Sequence, residues 1–300
     1  MINFRITCLC LLACGACTED SNDIGEKRDA GAVSDAATDS SKISDAQSGD
    51  SSPPKQDASG DTDASQYTAV VGARCALPNR LGAIEVQTVQ GKLYASSSVF
   101  TEKNPGLGSW KVQDSDCRFH QQSPQPTPFM PKRPKDAKLV LVANGQEQTF
   151  LAGSERGEID GEIILPGQAF SGRFSWSGVT VSFPAITVPA ELVGLKGKLK
   201  GSSESPEQLD ITWDKPNANS QVHTIVPINH HAGGDTFTEC DVPSSKGNLK
   251  VAGAMLKPLA VITGLEFQGI NHVRFAAAET PLGCIEIQFF TRFIGMPPAP

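Results

Sequence analysis

The chain has 300 residues with 26 basic and 33 acidic side chains, a formal net charge of −7. That balance offers no basic surface for nucleic acid, and no apolar run approaches the roughly eighteen residues of a membrane-spanning helix. The length is ample for one large or two small domains with a real core. At the N-terminus Arg5 precedes a mostly apolar run, Ile6 to Ala13, that contains Cys8 and Cys10 and leads into Cys14 and Cys17. Cys14-Gly15-Ala16-Cys17 has the inner spacing of a zinc knuckle, but no second knuckle follows and no histidine precedes His120. A basic start, a short apolar run and then small residues are the parts of an export signal.

Leu11-Leu12-Ala13-Cys14 resembles the lipobox of bacterial lipoproteins, in which a signal peptidase cuts before a cysteine that has received a diacylglyceryl group. The resemblance implies a signal peptide over 1–13 and lipid attachment at Cys14, with Cys17 as the alternative acceptor. Two or more acyl chains make a stable anchor where one does not, so the implied partner is a membrane. Gly15, not Asp, follows Cys14. In the lipoproteins it resembles, this implies the outer membrane, at its periplasmic face or on the cell surface.

Residues 18–66 hold 12 acidic and 4 basic side chains, with Ile24, Val33 and Ile43 as the only large aliphatics. Such a composition buries too little apolar surface to offset the entropy of ordering, so 14–66 reads as the anchor followed by a disordered tether. A flexible coil of that length spans on the order of 40 Å. The remainder, 67–300, is balanced at 21 acidic and 21 basic residues, which places the acidity of the chain in the tether.

Beyond the tether the pattern is all-β. Phe170, Phe174 and Trp176 share one face of a strand, and Val179, Val181 and Phe183 share a face of the next. The same period of two recurs at Ile211 and Trp213, at Val222 to Ile228, at Val273 to Ala277 and at Ile285 to Phe289. Regular short strands of this kind predict an immunoglobulin-like β-sandwich region or regions behind the tether. Residues 251–261 hint at one short helix, which Pro258 is expected to interrupt or end. The proline-rich stretch 121–134 divides the folded part into a small β module over 67–122, a linker over 123–134 and a β-sandwich domain over 135–300. A single continuous domain is the alternative.

Cys75, Cys117, Cys240 and Cys284 remain after the signal, and an oxidising compartment makes disulfides their default state. Three connectivities are possible. Pairing Cys75 with Cys117 and Cys240 with Cys284 keeps each bridge on one side of the proline stretch and is the favoured choice. "SWKVQDSDCRFHQ" (109–121) and "ECDVPSSKGNLKV" (239–251) resemble segments of uncharacterised delta-proteobacterial surface lipoproteins, a family without an assigned activity. The resemblance supports the same address and implies no chemistry.

No nucleophile elbow, zinc-protease helix, P-loop or dinucleotide fingerprint occurs in the chain. His230, His231 and Asp235 share a loop, "PINHHAGGD", whose donors suit a metal such as zinc. A polar turn built by Asn229 and Gly233-Gly234 explains the same residues. His223 and His272 alternate with apolar neighbours and are expected in solvent, while Trp110, Trp176 and Trp213 sit on apolar faces and read as core. The expected protein is a lipid-anchored outer-envelope module that binds an unknown protein or glycan or serves structurally. No cofactor is expected. The alternative is an envelope hydrolase or metal-dependent enzyme using the His230 loop.

Overall fold

Three sheets account for most of the described chain. The computed structural model describes residues 65–122, 132–153, 156–165, 167–216, 219–227, 236–263 and 267–297, all within one compact unit, Thr62–Pro300. The predicted signal, the tether, Cys14, Cys17, His230, His231, Asp235 and most of the proline-rich stretch lie outside the described residues.

The first strands are β1 (Ser65–Thr68), β2 (Val70–Val71), β3 (Arg80–Val89), β4 (Lys92–Ser97), β5 (Val112–Gln113) and β6 (Cys117–His120). After the proline-rich stretch come β7 (Lys138–Ala143), β8 (Gln146–Leu151), β9 (Ile159–Glu162), β10 (Ala169–Trp176), β11 (Val179–Thr187) and β12 (Lys196–Gly201). The chain ends with β13 (Pro206–Thr212), β14 (Gln221–Pro227), β15 (Phe237–Pro243), β16 (Asn248–Ala252), helix α1 (Gly253–Thr263), β17 (Gly269–Thr280) and β18 (Gly283–Ile294). Gln90-Gly91, Asn144-Gly145 and Ser177-Gly178 join successive strands. Both residues of each pair have positive φ, the turn geometry that matches strand twist and that glycine makes accessible.

One sheet runs β1-β11-β10-β7-β8, a second β12-β13-β16, and the ten-stranded third runs β5-β6-β15-β14-β17-β18-β3-β4-β9, with β2 also on β17. Residues 67–122, expected as a module of their own, instead supply β3, β4, β5 and β6 to the same sheet as β17 and β18. There β3 pairs parallel with β18, and β6 pairs with β15. The sheet is therefore assembled from both ends of the folded sequence.

Side chains two apart on a strand share a face. On β17, Ile270 enters one apolar core while Ala276 and Ala278 enter another. Both small sheets thus cover the same, inner face of the long one, giving a sandwich with two cores side by side. In the first, Phe170, Phe174, Trp176 and Leu141 pack with Ile84, Ile285, Ile287 and Phe289. In the second, Leu209, Ile211, Trp213 and Leu249 pack with Phe119, Val222 and Val242. Removing this much apolar surface from water is the main drive for folding.

Helix α1 continues through Pro258 where an interruption was expected. Pro258 withholds one backbone donor, but Met255, Leu256 and Leu259 are buried in the second core and hold the segment in place. The Met255 carbonyl accepts the Thr238 hydroxyl at 2.8 Å.

Candidate functional site

The outer face of the ten-stranded sheet carries a cluster of opposed charges. Strand register places His223, Asn271 and Asp241 in one row across the sheet, and Glu239 beside Arg118. Further along, Phe275 faces Gln288 and Ala277 faces Glu286. Between β2 and β3 the chain must pass from one side of the β17–β18 pair to the other, and residues 72–79 cross over this outer face as a strap.

Three contacts hold the strap down. Gly72 donates its N–H to the Phe275 carbonyl at 2.7 Å. Cys75 is bonded to Cys284, 209 residues away. Its N–H donates to Glu286 at 3.0 Å. Between them Arg74 lays its guanidinium over the Phe275 ring, 3.9 Å from the centroid. It ion-pairs with Glu239, with Asp241 at 3.2 Å and with Glu286 at 2.9 Å.

The surrounding groups complete a balanced cluster. Arg80 reaches Glu239 at 3.4 Å and Glu286 at 3.3 Å, and Arg118 pairs with Asp241. His223 Nε2 lies 3.1 Å from Glu239, and Gln288 donates to Glu286 at 3.1 Å. Arginines 74, 80 and 118 thus meet acids 239, 241 and 286, and the two glutamates are fully buried. Burial alone pushes both glutamate carboxyls up. Arg80 and Arg74 more than offset this and hold Glu286 below, and Glu239 well below, the ordinary carboxylate pKa. A buried ion cluster of this kind adds little net stability over an apolar equivalent, yet removing one member strands a charge at a cost of about 3–5 kcal/mol. It fixes where the strap lies. Every carboxylate is matched by a guanidinium, and among the described residues no group of three His, Cys, Asp or Glu side chains is placed to hold a metal.

The cysteine pairing differs from the favoured one. Cys75 joins Cys284 and Cys117 joins Cys240, because strands far apart in sequence are neighbours in the long sheet. Cys117 and Cys240 stand directly opposite each other on β6 and β15, within the second core. One bridge therefore staples each face. The histidine expectation is also corrected: His223 and His272 are 2% and 3% exposed. His223 stands edge-on to Phe275, 5.5 Å between ring centres, and His272 bonds to Ser220 and to the Ala190 carbonyl. Trp176 and Trp213 are core as expected. Trp110 is half-buried instead, edge-on to Phe237 with the Arg118 guanidinium 5.0 Å from its ring centre. The metal loop of His230, His231 and Asp235 and the acceptors Cys14 and Cys17 fall outside the described residues. The arginine–glutamate cluster had no sequence signal, since its members are scattered from 74 to 286.

No protein-family model and no curated protein matches the chain. A solved structure that matches is the tetra-tandem repeat in the extending region of a large adhesion protein, 12% identical, with a TM-score of 0.18. The match covers 71% of this chain and 49% of that one, so the chain spans about half the length of that structure. A likeness at that level adds nothing to the reading of the site.

Proposed function

We propose that the protein is an exported β-sheet module, tethered to the outer membrane by an acylated cysteine, that binds an envelope or extracellular partner or serves as a structural part of the envelope. The observation that carries this reading is the pair of buried disulfides, which close separations of 209 and 123 residues and tie the strap and β6 to the rest of the sheet. Such bridges persist in oxidising compartments and are rare in the cytosol. Leu11-Leu12-Ala13-Cys14 supports the acyl anchor, and the acidic composition of 18–66 supports a tether that holds the module away from the bilayer.

The test is an intact mass of the full chain extracted from its own membranes, taken with and without reduction. The expected product begins at an acylated Cys14 and contains two disulfides, and Cys14→Ser moves it to the soluble fraction. Acylation at Cys17 would transfer the anchor by three positions. An unacylated chain with reduced thiols would overturn the reading.

A further inference from the structure

β14 and β2 share one edge of β17. β14 pairs there with Asn271 to Val273 and β2 with Ala276 and Ala277, so Arg274 and Phe275 face neither strand in register. A cleft of about 310 Å³ lies at this break, lined in part by Val71, Ile186, Ser220, Gln221, Arg274 and Phe275. That volume is at the small end of ligand cavities.

Ser220 Oγ is 2.7 Å from His272 Nε2, and His272 Nδ1 is 2.6 Å from the Ala190 carbonyl oxygen. A carbonyl oxygen only accepts, so the ring proton sits on Nδ1 and Nε2 presents its lone pair. The Ser220 hydroxyl therefore donates to Nε2, and Ser244 Oγ, 2.9 Å away, donates to Ser220 Oγ. Burial pushes the His272 pKa down, more than its bond to Ala190 raises it, and the Arg274 charge adds to the lowering, which keeps the imidazole neutral. Nucleophile, base and an orienting third group at these distances are the requirements of an activated serine. Arg274 supplies the remaining observation. Its Nε is buried without a hydrogen-bond partner, and among the described residues it makes no ion pair.

We propose that Ser220 is an acyl-accepting nucleophile, with His272 as its base and the Ala190 carbonyl as the orienter, in a cleft that takes short esters carrying a negative charge opposite Arg274. Ser220 Oγ bonds to the acyl carbon as its proton passes to His272 Nε2, and the carbonyl electron pair moves to oxygen. That pair returns as the bond to the alcohol oxygen breaks, and His272 gives its proton to the leaving alkoxide. Water then bonds to the acyl carbon, delivering a proton through His272 to Ser220 Oγ as the acyl–Oγ bond breaks and a carboxylic acid leaves.

The experiment treats the full-length, disulfide-intact protein with a fluorophosphonate probe, which transfers its phosphonyl group to activated serines with loss of fluoride. The expected result is one adduct per chain, mapped by peptide mass to Ser220 and absent after denaturation or in Ser220→Ala. His272→Gln should label roughly 100-fold more slowly. With chromogenic esters, wild type should prefer 4-nitrophenyl hemisuccinate over the uncharged acetate by about tenfold, and Arg274→Gln should lose that preference. No adduct on Ser220, or diffuse labelling that Ser220→Ala leaves unchanged, overturns the nucleophile. Equal rates in wild type and His272→Gln overturn the base, and equal use of the two esters overturns the anion preference. The adduct map is read on the unaltered protein, so it decides the matter even where a variant fails to fold.

Discussion

The two faces of the ten-stranded sheet are built on opposite principles. The inner face is apolar, and its alternating residues pack against two smaller sheets and one helix. The outer face is closed by a strap of eight residues over a matched set of arginines and acids. Apolar packing is forgiving of identity provided that volume is kept. An ion cluster is not, because each buried charge depends on the opposite charges around it to be tolerable in the interior. The first face supplies cohesion and the second fixes chain path.

That contrast can be broken most directly at the bridges. Cys75→Ala with Cys284→Ala should lower stability by roughly 4 kcal/mol through the unfolded state, read from urea midpoints, with most of the lost protection in hydrogen exchange on the strap. Loss spread evenly over both faces would sink the idea that this bridge serves the strap. Glu239→Gln should cost about 3 kcal/mol at neutral pH, because Arg74 and Arg80 lose a buried counter-charge.

Acid provides a finer test. Both glutamates have folded pKa values below their ordinary 4.5, so their contribution is fully present above that pH and is lost as pH falls through the folded values. Wild type should therefore weaken progressively below about pH 4.5, Glu239→Gln should weaken less, and Leu209→Ala on the inner side should cost the same at every pH. A Leu209→Ala penalty that changed with pH would erase the distinction. Trp213→Phe removes the indole donor to the Ser244 carbonyl, 2.6 Å away, and should cost about 1 kcal/mol by thermal unfolding. At the bottom of the scale, Lys92→Ala breaks an exposed pair with Glu162 and should change stability by less than about 0.5 kcal/mol.

Much of the inner face was legible in the sequence. Period-two alternation located β10, β11, β13, β14, β17 and β18, because a strand buried on one side must repeat every second residue. The outer face was not legible, for the same physical reason. His223 and His272 alternate with apolar neighbours, which normally signals solvent, but the outer face that carries His223 is covered by another part of the chain, and His272 lies on the inner face against Ser220 and the Ala190 carbonyl. The cysteines were paired by proximity in sequence, whereas the sheet pairs them by topology: β6 lies beside β15, and the strap before β3 lies across β18. The proline-rich stretch that reads as a domain border falls in sequence between β6 of the ten-stranded sheet and β7 of the five-stranded one, within a single compact unit. The Ser220–His272 pair had no motif to announce it, since Ser220 precedes β14, His272 lies on β17 and the orienter is a main-chain oxygen.

The parallel pairing of β3 with β18 also sets a timetable. A chain that emerges N-terminus first presents Arg80–Val89 early, with only the β4 edge available to it. Its other edge stays empty until the last strand arrives, and Cys75 waits for a partner 209 positions behind it. No early segment can seal the sheet alone, so completion waits for β18, and contacts this distant in sequence are slow to form. During that interval the unfilled strand edges and apolar faces are open to other chains, a period in which a holding chaperone would have most to protect.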